Sequence, residues 1–137
     1  MELQVLPALS GRKRVLVADD DTDVCALLEV VLRPHCDVEA VYDAESALDR
    51  LSSGARYDAI ISDFMLPGIS GLEFVARIRD AEVTTRVPIL MISGDGASGI
   101  GAAAAAAGAD AFLDKPFTLA QLRAAILVLL TQQRHVA

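Results

Sequence analysis

The sequence predicts an α/β protein: five βα units wound into one open, doubly wound parallel sheet, strand order 2-1-3-4-5, with helices on both faces. Three observations predict it. Short apolar runs recur without the alternation of a half-exposed strand, and continuous apolarity marks strands covered on both faces, as in a parallel sheet. Between the runs, apolar residues recur at helical spacing. The two patterns take turns from about Arg14 to Arg134, and right-handed crossovers convert such an alternation into a sheet clothed by helices.

Each element follows in order. Residues 1–13 read as an N-terminal extension, and the first strand is Val15-Leu16-Val17-Ala18. Val24, Leu27, Leu28, Val31 and Leu32 fall at i, i+3, i+4, i+7 and i+8 of a helix. Pro34 ends it, because proline lacks the N–H that a helix needs. Val38 to Val41 form a weaker run, and Ala44, Ala47, Leu48 and Leu51 a second helix that stops near Gly54. Ala59-Ile60-Ile61 is the third strand; Leu72, Val75 and Ile78 mark the third helix. Ile89-Leu90-Met91-Ile92 and Ala111-Phe112-Leu113 are the last two strands. The segment between them holds six consecutive alanines, Ala102 to Ala107, behind Gly96, Gly99 and Gly101. Alanine is the best helix former and glycine a poor one, so a fourth helix with a weak first turn is expected. Leu119, Leu122, Ile126 and Leu129 define a fifth, with Thr118 as its N-cap.

A chain of 137 residues suits one domain, here residues 14–134. The net charge of −7 argues against direct nucleic-acid binding, which depends on Lys and Arg neutralising phosphates. The longest strongly apolar stretch, Ala124 to Leu130, is too short to span a bilayer, and no signal peptide opens the chain. A cytoplasmic protein without a membrane partner is expected. Cys25 and Cys36 read as buried free thiols, and His35 and His135 offer no metal-type spacing.

The chemistry collects at one edge. In open α/β sheets ligands bind beyond the carboxyl ends of the strands where strand order reverses, here between the first and third strands. The first strand runs into Asp19-Asp20-Asp21, the third ends at Asp63, the fourth at Ser93, and the fifth runs into Lys115. The aspartate cluster by itself fits either a cation site or a solvated turn. Together with Asp63 and Lys115 it makes a crowd of carboxylates that calls for a cation. Oxygen-only ligands select a hard ion, and Mg²⁺ suits few carboxylates, several waters and a phosphate. An aspartate attacking phosphorus in line needs mainly positioning and charge neutralisation. Lys115 can neutralise Asp63 and steady a phosphoryl oxygen; Ser93 can donate to another.

Four segments, VLVADDD at 15–21, ISDFMLPGISGLE at 61–73, PILMISGDG at 88–96 and GADAFLDKPF at 108–117, resemble the receiver (CheY-like) domain of two-component response regulators. The resemblance covers nearly the whole chain and implies a flavodoxin-like receiver fold. It implies Asp63 as phosphoacceptor, taking its phosphoryl group from a sensor histidine kinase or a histidine phosphotransfer protein. It further implies Mg²⁺ or Mn²⁺ held by Asp20, by Asp19 largely through water, by Asp63 and by the backbone carbonyl of Met65. Ser93 and Phe112 match the switch pair, Lys115 the phosphate-contacting lysine, and Lys115–Pro116 a cis peptide bond. Each position also has a plainer use: Asp19 and Asp20 as a capping turn, Ser93 as a helix cap, Phe112 as core.

Other readings fail on particular residues. A haloacid-dehalogenase phosphatase wants D-x-D-x-T/V, but Asp23 stands at the fifth place of Asp19 to Asp23. An EF-hand loop wants glycine where Val24 stands. A flavodoxin phosphate loop would not carry aspartates that repel phosphate. The loop Asp63 to Gly68 resembles that of winged-helix transcription regulators, whose dimers use charged residues on the fourth helix, fifth strand and fifth helix. Here that face is Ala102–Ala107, Ala111 and Ala124-Ala125. It suggests a single-domain switch, monomeric or weakly dimeric, that signals by docking rather than by catalytic turnover.

Overall fold

The computed structural model describes residues 12–81, 86–94 and 100–131. Ten elements alternate along the chain: β1 (Lys13–Ala18), α1 (Thr22–Leu32), β2 (Cys36–Val41), α2 (Ala44–Ser52), β3 (Ala59–Asp63), α3 (Gly71–Asp80), β4 (Ile89–Ser93), α4 (Ile100–Ala107), β5 (Ala111–Asp114) and α5 (Leu119–Thr131). The five strands form one parallel sheet in the order β2-β1-β3-β4-β5. Residues 1–11 of the expected extension, Gly96, Gly99, and residues 132–134 with His135 lie outside the described residues. Among the described residues no helix is long and apolar enough to cross a membrane.

Strand side chains alternate between two cores. Val15, Val17, Ala59, Ile61, Leu90 and Ile92 face α1 and α5. Leu16, Ala18, Ile60, Ile89 and Met91 face α2, α3 and α4. β3 and β4 are buried at every residue, which is why they read as unbroken apolar runs. Each large aliphatic side chain so covered contributes about 1.5–3 kcal/mol.

Local signals set the helix boundaries. Asp21 caps α1 by accepting from the N–H groups of Asp23 (2.9 Å) and Val24 (3.3 Å). Asp43 caps α2 and Ser70 caps α3 in the same way. At α5 the expected Thr118 cap is a full capping box: Thr118 Oγ1 accepts from Gln121 N–H at 3.0 Å, and Gln121 Oε1 accepts from Thr118 N–H at 2.9 Å. α1 turns its face slightly from the predicted stripe. Cys25, Leu28, Val31 and Leu32 are buried, while Leu27 is 39% exposed. Cys25, two residues before Leu27, points inward instead, so Leu27 falls at the rim of the buried arc. Leu119, also assigned to the stripe, is 44% exposed in the first turn of α5. Both cysteines are free and buried, as expected, and Cys36 is the first residue of β2.

At the end of the sheet remote from the aspartates, Arg79 joins three elements. Its guanidinium pairs with Asp110 at 2.8 Å and donates to the carbonyls of Gly108 (2.9 Å) and Val87. Asp110 also accepts from Ile89 N–H at 2.8 Å. The Arg79 and Asp110 side chains are only 15% and 6% exposed. Arg79→Ala strands a buried carboxylate and should destabilise by about 3 kcal/mol. Arg77→Ala breaks only an exposed i,i+4 pair with Glu73 and should cost under about 0.5 kcal/mol. Urea denaturation of both variants checks the contrast; equal costs would refute it.

Candidate functional site

Parallel register gathers the carboxyl ends of the strands. Ala18 lies opposite Ser62, Asp63 opposite Ile92, and Ser93 opposite Asp114. Asp19 therefore follows directly from β1 beside the end of β3, and its N–H is held by the carbonyl of Val41 at 3.1 Å. Asp19 and Asp63 are buried, at 1% and 6% exposure, whereas Asp20 is exposed. One carboxylate oxygen from each of Asp19, Asp20 and Asp63 lies within 4.8 Å of the others. The Lys115 ammonium stands 3.7 Å from Asp63 Oδ1 and 3.9 Å from Asp19 Oδ2. The structure thus brings together all four charged residues singled out from sequence.

The supporting positions explain how they are aimed. Lys115 N–H bonds to the carbonyl of Ser93 at 2.7 Å, and the Lys115–Pro116 bond is cis. A Cβ on Gly94 would approach Lys115 Cδ to 3.3 Å, so glycine there leaves room for the lysine stem. A Cβ on Gly71 would come within 2.7 Å of the Asp63 carbonyl and 2.8 Å of the Phe64 backbone, so no side chain fits there. Gly71 thereby lets α3 start tight against the backbone at the end of β3, where Asp63 lies. Ser93 is fully buried at the end of β4. Phe112 is half-buried, packed on the α2–α3–α4 core with its ring 3.4 Å from the Cβ position of Gly101. Met65 is 62% exposed, and the Phe64 N–H donates to the carbonyl of Ile92 at 2.7 Å.

The aspartate cluster divides its labour. The capping duty belongs to Asp21, which leaves Asp19 and Asp20 facing the pocket. Asp19 Oδ1 also accepts from Asp21 N–H at 2.9 Å, fixing its carboxylate. Two supports went unread in the sequence. Cys25 donates its thiol to the Asp19 carbonyl at 3.3 Å, and nothing in local sequence distinguishes that cysteine from core filling. Gly71 had a signal, as a glycine in the first turn of a predicted helix, where only close packing justifies it.

Burial dominates the electrostatics. It pushes the Asp19 carboxyl up to about 6, opposed by the Asp21 N–H and by Lys115 and reinforced by Asp63. It raises Asp63 as well, with Lys115 opposing and Asp20 adding. Burial also pushes the Cys25 thiol up to about 11, so it stays protonated. Three clustered carboxylates, two of them buried, with one partly exposed lysine leave an excess of negative charge. A hard, oxygen-seeking divalent cation fits such a donor set.

A doubly wound parallel sheet with an acidic pocket at its switch point defines the class. The family model described as response regulator receiver domain matches residues 15–127. The chain belongs to that family, a family of phosphoacceptor signalling domains. The transcriptional regulatory protein TcrA of Mycobacterium tuberculosis is 39% identical over 117 residues, covering 85% of this chain and 45% of TcrA. The chain thus spans under half the length of that curated relative. A structure named as a response regulator from Chloroflexus aurantiacus superposes with a TM-score of 0.82 at 34% identity, covering 88% of this chain and 99% of that one. The receiver domain of sensor histidine kinase PA1611 from Pseudomonas aeruginosa, solved with magnesium coordinated in its active-site cleft, gives 0.74 at 31% identity, covering 86% and 96%.

The buried carboxylates carry a pH signature. Unfolded, Asp19 loses its proton near 3.8; folded, near 6. Between those values the native state binds more protons than the unfolded one, so stability falls as pH rises through that window. In chelator, the wild type should lose about 2–3 kcal/mol from this group between pH 4 and 7. Asp19→Asn keeps the acceptor for Asp21 N–H and should be spared that loss. Denaturant melts of both proteins across the range check it; parallel profiles would count against the buried-charge account.

Proposed function

We propose that this domain is a phosphoacceptor switch in which Asp63 takes a phosphoryl group from a histidine kinase or histidine phosphotransfer protein. The observation that carries the reading is the meeting of Asp63, Asp19, Asp20 and Lys115 at the carboxyl ends of adjacent strands. An Asp63 carboxylate oxygen attacks phosphorus as the phosphorus–nitrogen bond of the donor's phosphohistidine breaks. The product is an aspartyl phosphate, and the electron pair leaves on the imidazole. Lys115 offsets charge on the transferring group, and the buried Ser93 hydroxyl donates to one of its oxygens. Asp19, Asp20, Asp63 and the Met65 carbonyl would hold Mg²⁺ or Mn²⁺. That ion, when bound, supplies charge neutralisation and draws the phosphoryl oxygens toward the pocket. The domain assists its own phosphorylation and dephosphorylation and does not turn over other substrates.

Output leaves through the face of α4, β5 and α5. Phosphorylated Asp63 draws the Ser93 hydroxyl inward, and Phe112 follows into the space released. On α5, Val128 is 60% exposed, whereas Leu127 packs on the core. Ala102, Ala105 and Ala106 are exposed on α4, so a partner can approach closely without displacing charged side chains. Stand-alone signalling by docking in the cytoplasm, as a monomer or weak homodimer, suits this face. A second reading, the receiver part of a longer DNA-binding regulator, is favoured by the likeness to TcrA. Sequence-selective DNA binding by the intact gene product would select it.

Asp63→Asn is nearly isosteric and should keep the fold while abolishing labelling. Incubation with acetyl phosphate and Mg²⁺, read by intact mass and by the labelled peptide, should show one phosphoryl group on the wild type and none on the variant. Labelling of the variant at the same peptide would sink the assignment.

A further inference from the structure

α4 is built differently at its two ends. Its last turn is clamped. Gly108, at φ +119°, closes the helix with its N–H on the carbonyls of Ala104 (3.2 Å) and Ala105 (3.0 Å). Ala109 N–H adds a bond to Ala104 at 2.9 Å. Arg79 grips this closure from α3, donating to the Gly108 carbonyl at 2.9 Å and pairing with Asp110 at 2.8 Å. The grip is close: a Cβ on Gly108 would meet Arg79 Cγ at 2.7 Å. Val87 and Ile89, at the start of β4, join through their backbones. Three elements of the framework thus converge on the residues just after α4, largely out of water.

Gly101, in the first turn, meets its neighbour differently: a Cβ built there would stand 3.4 Å from the Phe112 ring, so apolar surface rather than a charged hydrogen-bond cluster faces the helix at this residue. Such a contact yields to sliding far more readily than a forked charged hydrogen-bond cluster does. Ser93, which ends β4 on the site side of the sheet, and the Phe112 ring both lie toward this end of the helix.

We infer that Arg79 is the pivot of α4: it fixes the C-terminal end, so phosphorylation swings the first turn instead of displacing the whole helix. This rests on the proposed output through α4, and it states how the motion is distributed. Eight residues make a helix about 12 Å long. A tilt of about 10° about the Gly108 end moves the first turn by about 2 Å and the last turn hardly at all. The same guanidinium that stabilises the fold thereby sets the geometry of the signal. Arg79 touches neither the phosphoryl group nor the pocket and acts only as a positioning residue.

The test is residue-resolved amide exchange by NMR with and without beryllofluoride and Mg²⁺, in the wild type and two conservative variants. Arg79→Lys keeps the charge opposite Asp110 but, as a compact point charge, lacks the planar fork that spans these separately placed acceptors. Asp110→Asn keeps an acceptor for Ile89 N–H. In the wild type, exchange at residues 100–103 should change about tenfold on beryllofluoride binding, with little change at 107–110. Both variants should still accept phosphate from acetyl phosphate at Asp63, while the exchange change spreads to 107–110. A change of equal size along all of α4 in the wild type would overturn the pivot alone, as would a gradient unaltered in both variants. Loss of labelling in both variants would place Arg79 in support of the pocket, which also overturns it. Protection at Asp19, Asp20 and Asp63 with no response across 100–110 in the wild type would overturn the output reading, and the pivot with it.

Discussion

Asp19 and Asp63 end up buried side by side because β1 and β3 are adjacent parallel strands, and the Lys115 ammonium at 3.9 and 3.7 Å is what offsets their charge. Much of the molecule can be traced to holding that arrangement. Two carboxylates that lose hydration oppose folding, and the opposition is met by apolar packing on both faces of the sheet. β3 and β4, the strands carrying Asp63 and Ser93, are the ones buried throughout. The backbone contributes as well. The N–H of Asp21 donates to Asp19, and the backbone at Met65 and Phe64 acts on Asp63 in the same sense, each favouring the ionised form that burial disfavours.

The same tension explains why the pocket suits a transient charge exchange. A site with surplus negative charge and a single lysine has the donor set that a hard cation fits, which is what the proposed phosphoacceptor role requires. Neutral residues there would fold more comfortably and do nothing. The capping role of Asp21 is part of the economy of the design: one member of the cluster satisfies the N–H groups at the start of α1, so its neighbours are released for the pocket.

Opposite ends of the domain serve opposite purposes. At the carboxyl ends of the strands charge is left imperfectly compensated, and small residues such as Gly71 and Gly94 admit close backbone and lysine approach. At the other end Arg79, Asp110, Gly108, Val87 and Ile89 form a dense set of satisfied partners. α4 runs from the first region toward the second, its middle held by the fully buried Ala104.

The sequence by itself determined the elements and which charged residues end the strands, because both depend on short-range features. Unbroken apolar runs report strands covered twice, helical spacing reports the helices, and the residues that end the strands are readable once the winding is known. Asp19, Asp20, Asp63 and Lys115 were legible for that reason, as was Thr118 at the start of α5. Tertiary structure alone decided the rest. Which arc of α1 faces inward depended on how the helix lies on β1 and β3, so Cys25 displaced Leu27 from the core. Division of the aspartates depended on which carboxylate reached the free N–H groups of α1. The Arg79 cluster joins residues 29 and 31 positions apart in the chain. Periodicity is a property of one segment, whereas the direction of a side chain and the partner that satisfies it are set by segments the chain brings together only when folded.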